Sequence, residues 1–555
     1  MTHPPTQDGR QPVHIQTVDG TLAGRLDEAR NIRSFKGIPF AAPPIGPLRW
    51  CAPQPLAPWQ GVRQADQFGP RAMQLPVFGD MDFRSNGMSE DCLYLNVWTP
   101  DSGATGLPVL VYFYGGGNIA GDGSEPRYDG AALAAQGIIT VTVNYRLGVF
   151  GFLAHPECAA TDGSIGNYGY LDQIAALRWI QTNIAAFGGD PARVTIVGES
   201  AGSVSVSVLM ASPQGKGLYA QAMGSSASVL GTMTAHTRAD AEQFATTFAS
   251  QIGAPTGAAL RALPAEHLLQ LAHACSPEDC NATIDGVFLP TSPFDIYAHG
   301  QQGHVPLLVG WNSTEVPHIY VLGDQAPTVA NYHAAVTARF GADAPAVLAA
   351  YAVHTDADVI PVATDLGSDL FTGHSTWLWA ALQHQTTQQP VYRYFYAHPR
   401  PGMWPELGNA VSGLAGGVIH TDEPAPAAPP MAVGAVHSAD IEYFMGNLAT
   451  NTVYAWDATD HAISAQMQQI YLHFVKTGNP NGPGIPAWEP YRGTGAQTVL
   501  TIAAQSNCAP ERLRERYLVL EALRSQNKNQ THSPTACRGA MGHAPRTEGR
   551  RGAMV

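Results

Sequence analysis

Long apolar runs and charge are what this sequence has least of. No stretch of 18 apolar residues occurs among its 555 positions, so no segment is expected to span a membrane. The first ten residues, Met1 to Arg10, are polar. They lack the basic patch and apolar stretch of an export signal, so the chain is expected to be cytoplasmic unless a signal was removed beforehand. Charged residues make up only 13%, and 44 acids outnumber 30 Lys and Arg for a net charge of −14. That balance speaks against nucleic acid or an anionic membrane as partner. Cysteine is sparse too. The seven, at positions 51, 92, 158, 275, 280, 508 and 537, are odd in number and scattered, which makes no disulfide framework. Cys275 and Cys280 could close a small loop, but the spacing leaves their pairing open. No Cys/His grouping has zinc spacing, so no metal is expected. There are no internal repeats, and no Ser/Gly linker divides the chain.

What is present is apolar residue, 45% of the chain, enough for a large core. Residues 12 to 50 read as short strands and turns, with Pro39, Pro43, Pro44 and Pro47 forcing an extended path. Cys92 to Trp98 alternates as a strand. Val109 to Tyr114 and Ile138 to Val143 are near-continuous apolar runs, the pattern of strands covered on both faces. Ile174, Leu177, Ile180 and Ile184 recur at helical spacing, and residues 235 to 280 are Ala-rich and helical in pattern. Alternating strands and helices predict an α/β fold with a large, mostly parallel central sheet and helices on both faces. One domain is expected over 1–524. The polar, basic stretch 525–555 reads as a disordered tail.

Chemistry enters at Gly198-Glu199-Ser200-Ala201-Gly202. This G-x-S-x-G follows the apolar run Val194 to Val197 and precedes a helical stretch. Strand, sharp turn and helix would expose the Ser200 hydroxyl and aim the Ala201 N–H at a developing oxyanion. Ser200 is thus a candidate nucleophile. Gly115-Gly116-Gly117 directly follows the strand ending at Tyr114, and successive glycines let backbone N–H groups converge on one point. The base and acid cannot be chosen by spacing, because 20 histidines and 44 acids compete.

Further motifs narrow the choice. Ser34 to Pro44 reads SFKGIPFAAPP, Ser89 to Trp98 reads SEDCLYLNVW, and Asn144 to Gly148 reads NYRLG. Phe187 to Pro191 reads FGGDP, and Thr477 to Asn481 reads TGNPN. With these, the chain resembles the type-B carboxylesterases of the cholinesterase/carboxylesterase family, bacterial para-nitrobenzyl esterases included, over about residues 15 to 500. The resemblance implies an α/β-hydrolase fold. It places the orienting acid in Pro306 to Glu315, at Glu315, although Thr314-Glu315-Val316 departs from the family's DEG. It places the base in Gly434 to Phe444, at His437. It assigns the oxyanion donors to Gly116, Gly117 and Ala201, and gives Glu199 and Ser225 supporting places beside the triad. The family's loop disulfide lacks its upstream cysteine here.

The implied activity is hydrolysis of a small-molecule carboxylic ester through a Ser-His-Glu triad and an acyl-enzyme, without cofactor or metal, by a monomer or weak homo-oligomer. The same machinery would serve a carbamate, anilide or lactone. A non-enzymatic cholinesterase-like binding module is the alternative from another class, and the intact Ser200, Glu315 and His437 speak against it. Residues 401–435 are rich in Gly and Pro, lack periodicity and end just before His437. They read as a long surface loop that walls or lids the site, with Met403, Trp404 and Leu407 as pocket-lining side chains.

Overall fold

The computed structural model describes residues 12–407, 410–413, 417–420, 434–493 and 497–530. Thirteen strands form one sheet. Its middle is parallel: Ile139–Val143, Leu107–Phe113, Gly189–Glu199, Gln221–Ser225, Leu307–Asn312, Val391–Tyr396 and Thr498–Ile502 lie side by side in that order. Antiparallel strands flank it. Tyr94–Pro100 and the meander Pro12–Gln16, Thr21–Asp27, Ile32–Pro39 extend one edge, and Asn507–Pro510 closes the other.

The apolar runs explain the middle. Val109, Leu110, Val111, Tyr112 and Phe113 are all fully buried, which an alternating strand needs cover on both faces to achieve. Helices Ala201–Ala211 and Ala458–Thr477 both pack against this strand and against Gly189–Glu199. Each such side chain contributes about 1.5–3 kcal/mol of burial.

The segment Ala201 to Ala211 alternates Ser and Val like a strand, yet it is a helix buried on every side. Its hydroxyls make this affordable: Ser203 Oγ donates to the Ala227 carbonyl at 2.6 Å, Ser205 to Ala201 at 3.0 Å, and Ser207 to Val204 at 2.8 Å.

The last helix, Arg514–Gln530, spans position 524, with its own Leu520 and Leu523 buried and Arg524 ion-paired with Glu521. The remaining tail, 531–555, lies outside the described residues. Part of 401–435 is also ordered as a hairpin: Ala410–Ser412 pairs antiparallel with Val418–His420. Strands of three residues are too short to show alternation in a sequence. Residues 408–409, 414–416 and 421–433 of that segment lie outside the described residues. Among the described residues no helix is long and apolar enough to cross a membrane. The six described cysteines, Cys275 and Cys280 included, are unpaired.

Candidate active site

The parallel strands end together, and their ends carry the site. Gly189–Glu199 stops at Ser200, whose φ of 56° and ψ of −126° lie in a region that L-residues avoid. The Ser200 N–H donates to the Ser225 carbonyl at the end of the neighbouring strand (2.9 Å), which holds the turn. A Cβ on Gly202 would lie 2.0 Å from the Phe113 carbonyl oxygen, so only glycine lets the helix start this close to the next strand.

Two strand ends meet an imidazole carried by the turn before helix Ile441–Met445. His437 Nε2 is 2.9 Å from Ser200 Oγ, and His437 Nδ1 is 2.6 Å from Glu315 Oε2. The other Glu315 oxygen accepts the Asn312 N–H at 2.7 Å. The two segments are stitched together: Thr314 N–H donates to the Ala435 carbonyl, and Ala435 N–H to Ser313 Oγ, both at 2.9 Å. The departure from DEG therefore leaves a tight turn. Glu315 and His437 are buried, while Ser200 is half-exposed.

Glu199 Oε1 lies 3.4 Å from His437 Nε2. Burial, with the negative charges of Asp440 and Glu315, pushes the Glu199 carboxyl up to about 8, against the opposing pull of His437 and Arg127. Burial alone would lower His437. The carboxylates of Glu199 and Glu315 outweigh it and push the imidazole up to about 9.

Ser225 faces the same cluster. Its hydroxyl donates to Asp440 Oδ2 and accepts from Tyr394 (3.2 Å), whose own hydroxyl meets that of Tyr471 (3.0 Å). Burial holds the Asp440 carboxyl above the usual range. Asp440 and Asn312 were not singled out from sequence. Their only signal is position, Asp440 three residues after His437 and Asn312 three before Glu315. Phe371 gave none: it sits on a π-helical turn, Asp369–Gly373, and meets the His437 ring edge-to-face at 5.1 Å.

The glycine loop runs beside the nucleophile. A Cβ on Gly116 (φ 109°) would fall 2.2 Å from the Ala120 carbonyl oxygen, so the backbone path requires glycine. Met81 and Pro277 cover Gly116 and Gly117 from outside. Among the described residues the N–H groups of Gly116, Gly117 and Ala201 find no protein acceptor, leaving them open to a ligand oxygen.

An activated hydroxyl, an imidazole oriented by a buried carboxylate and free N–H donors together can carry acyl transfer. Comparison with known proteins points the same way. Residues 11–520 match the carboxylesterase family model. Fumonisin B1 esterase of Sphingopyxis macrogoltabida is 33% identical over 522 residues, 89% of this chain and 88% of that protein. A medium-chain fatty acyl-CoA hydrolase precursor of Anas platyrhynchos is 34% identical over 523 residues, 87% and 88% of the two chains. Among solved structures, a PNB esterase superposes with a TM-score of 0.73 at 28% identity, covering 91% of this chain and 99% of its own. A carboxylesterase of Geobacillus stearothermophilus gives 0.75 at 28% identity, with the same coverage.

Proposed function

The chain belongs to the carboxylesterase family and is an ester-hydrolysing enzyme of the α/β-hydrolase fold, and from that premise we propose that Ser200, His437 and Glu315 are its triad. The observation that carries this is the pair of hydrogen bonds on His437, 2.9 Å to Ser200 Oγ and 2.6 Å to Glu315. In this reading the neutral imidazole takes the Ser200 proton as the hydroxyl attacks the ester carbonyl. The N–H groups of Gly116, Gly117 and Ala201 stabilise the oxyanion. The collapsing intermediate expels the alcohol, protonated by His437. Water then attacks the acyl-enzyme along the same route. Glu315 keeps the ring in the tautomer that presents its basic nitrogen to Ser200.

The relatives above are named for dissimilar substrates, fumonisin B1 and a medium-chain fatty acyl-CoA among them, so the substrate of this chain is read from its own rim. One catalytic domain over residues 1–524, working as a monomer or weak homo-oligomer, is part of the same proposal. So is a cytoplasmic place, supported by the six free thiols. An organophosphate should label Ser200 stoichiometrically, read by mass spectrometry of the peptide. A label on another serine would overturn the assignment.

A further inference from the structure

Ser438, the residue after His437, also has a left-handed backbone, with φ 61°. A non-glycine residue pays for that conformation, so something must hold it. Two buried arginines do. Arg400 donates through one terminal nitrogen to the Ser438 carbonyl at 3.1 Å and to the Glu442 carboxylate at 2.9 Å. Arg127 reaches the Ser438 hydroxyl at 3.5 Å and is ion-paired with Glu125. All four charged side chains are buried, and Asn451 supplies a further donor to Glu442 at 2.8 Å.

Taking two arginines and two glutamates out of water carries a desolvation cost that their pairing can fail to offset, so stability alone is a weak reason for such a cluster. Their position gives another reason. The charge of Arg127 reaches Glu199, where it opposes the rise caused by burial. The groups facing Glu199 and His437 are otherwise acidic or phenolic: Glu315, Asp440, Tyr112 and Tyr128. Arg127 is the cation among them, and it comes from the segment Pro126–Tyr128, remote in sequence from the three segments of the triad.

We infer that Arg127 and Arg400 are positioning residues for the hydrolysis: they clamp Ser438 so that the His437 ring stays aligned with Ser200, and Arg127 supplies the positive charge that balances Glu199. The inference rests on His437 being the base. Both arginines are buried and act through Ser438 and Glu199 rather than at the reacting atoms.

The test compares Arg127→Met with Arg393→Met. Arg393 forms an equally buried pair with Glu511 (2.8 Å), and its guanidinium lies over the Tyr491 ring rather than on Ser438 or Glu199. Arg393→Met is expected to lower Tm only. Arg127→Met is expected to lower kcat on para-nitrophenyl acetate about tenfold with KM unchanged, because a misaligned imidazole is worth at least that much. Removing its charge raises Glu199 and His437 further, so the acid limb of kcat/KM should move to higher pH. Arg127→Lys keeps the charge and should restore the limb without restoring all of kcat. If Arg127→Met does not fold, Ser438→Gly removes the clamped hydroxyl and relaxes the backbone, and should lower kcat with the limb unmoved. A Tm loss in Arg127→Met with unchanged kcat and limb, or a fully active Ser438→Gly, overturns the clamp. A wild-type enzyme whose Ser200 resists organophosphate would instead overturn the triad reading beneath it.

Discussion

Around His437 the proposed triad partners are buried or half-buried and hydrogen-bonded to one another, whereas the segments at the mouth above it carry exposed apolar side chains. On the floor, Glu199 ends the strand Gly189–Glu199, Glu315 follows the strand Leu307–Asn312, and His437 and Asp440 lie just before helix Ile441–Met445; all four are buried. At the rim, Met81 and Pro277 lie over the glycine loop, and the hairpin Ala410–Ser412/Val418–His420 leans on Asp80. Val77 and Trp404, in those same rim segments, are large apolar side chains left exposed. The floor carries the proposed triad, whose chemistry is common to many esters. The rim has unsatisfied apolar surface and is where a particular ester would be chosen.

The sharpest way to break this comparison is to remove the floor. Ser200→Ala and His437→Ala should each lower kcat by about 10⁴–10⁶-fold while the circular dichroism spectrum and Tm stay near wild type, since triad members act as a unit. Glu315→Gln should cost less, about 10³–10⁴-fold, because it disturbs the tautomer without removing nucleophile or base. Residual turnover above about a tenth of wild type in His437→Ala would mean that another group is the base.

A subtler change keeps all three members and alters their electrostatics. Glu199 and Glu315 are what raise His437 to about 9. The base works only when neutral, so activity is lost as pH falls through that value. Glu199→Gln removes one of the raising charges, lowers the imidazole and should carry the acid limb of kcat/KM to lower pH by about one unit. A limb that stays in place, or moves up, would show that Glu199 does not govern the protonation of His437.

The contrast between floor and rim also governs what could be read from the chain. The parallel strands were legible because Val109–Phe113 is apolar on both faces, and because Ile139–Val143 sets Ile and Val against two threonines that are buried as well. The Ser200 turn was legible because its glycines answer to backbone contacts only 2.0–2.2 Å from where a Cβ would stand. By contrast, Ser203 to Val208 alternates like a strand, and only its place after the turn marks it as helix. Glu315 and His437 came from family resemblance, not spacing, because partners 122 residues apart meet only in the folded sheet. Arg127, Arg400 and the π-turn at Phe371 left no trace, since a buried ion pair and a helical bulge are set by tertiary packing. The hairpin within 401–435 was missed because glycine and proline hide strands three residues long.

The smallest expected effect, and the one that tests the rim, comes from Asp80. Its carboxylate accepts the Gly417 N–H at 3.2 Å, and a Cβ on Gly413 would fall 2.2 Å from its Cγ, so the hairpin packs directly on this side chain. Next to it, the Met81 methyl would lie 3.3 Å from a Cβ on Gly116, in the loop proposed to supply the oxyanion donors. A displacement of the hairpin is thus one residue removed from the oxyanion loop. Asp80→Ala takes away the acceptor and leaves the triad and its hydrogen bonds untouched. A small acetate ester needs only the floor, so its kcat/KM should stay within about twofold of wild type. A bulky acyl or alcohol group must pass between Met81, Pro277 and the hairpin, and its kcat/KM should change by about five- to tenfold, roughly 1–1.4 kcal/mol. Equal losses on both substrates would mean that the change has reached His437 and that floor and rim are mechanically one. No change on either would make the hairpin passive surface. Only a split between the small and the bulky ester leaves the rim as the part of this enzyme that selects.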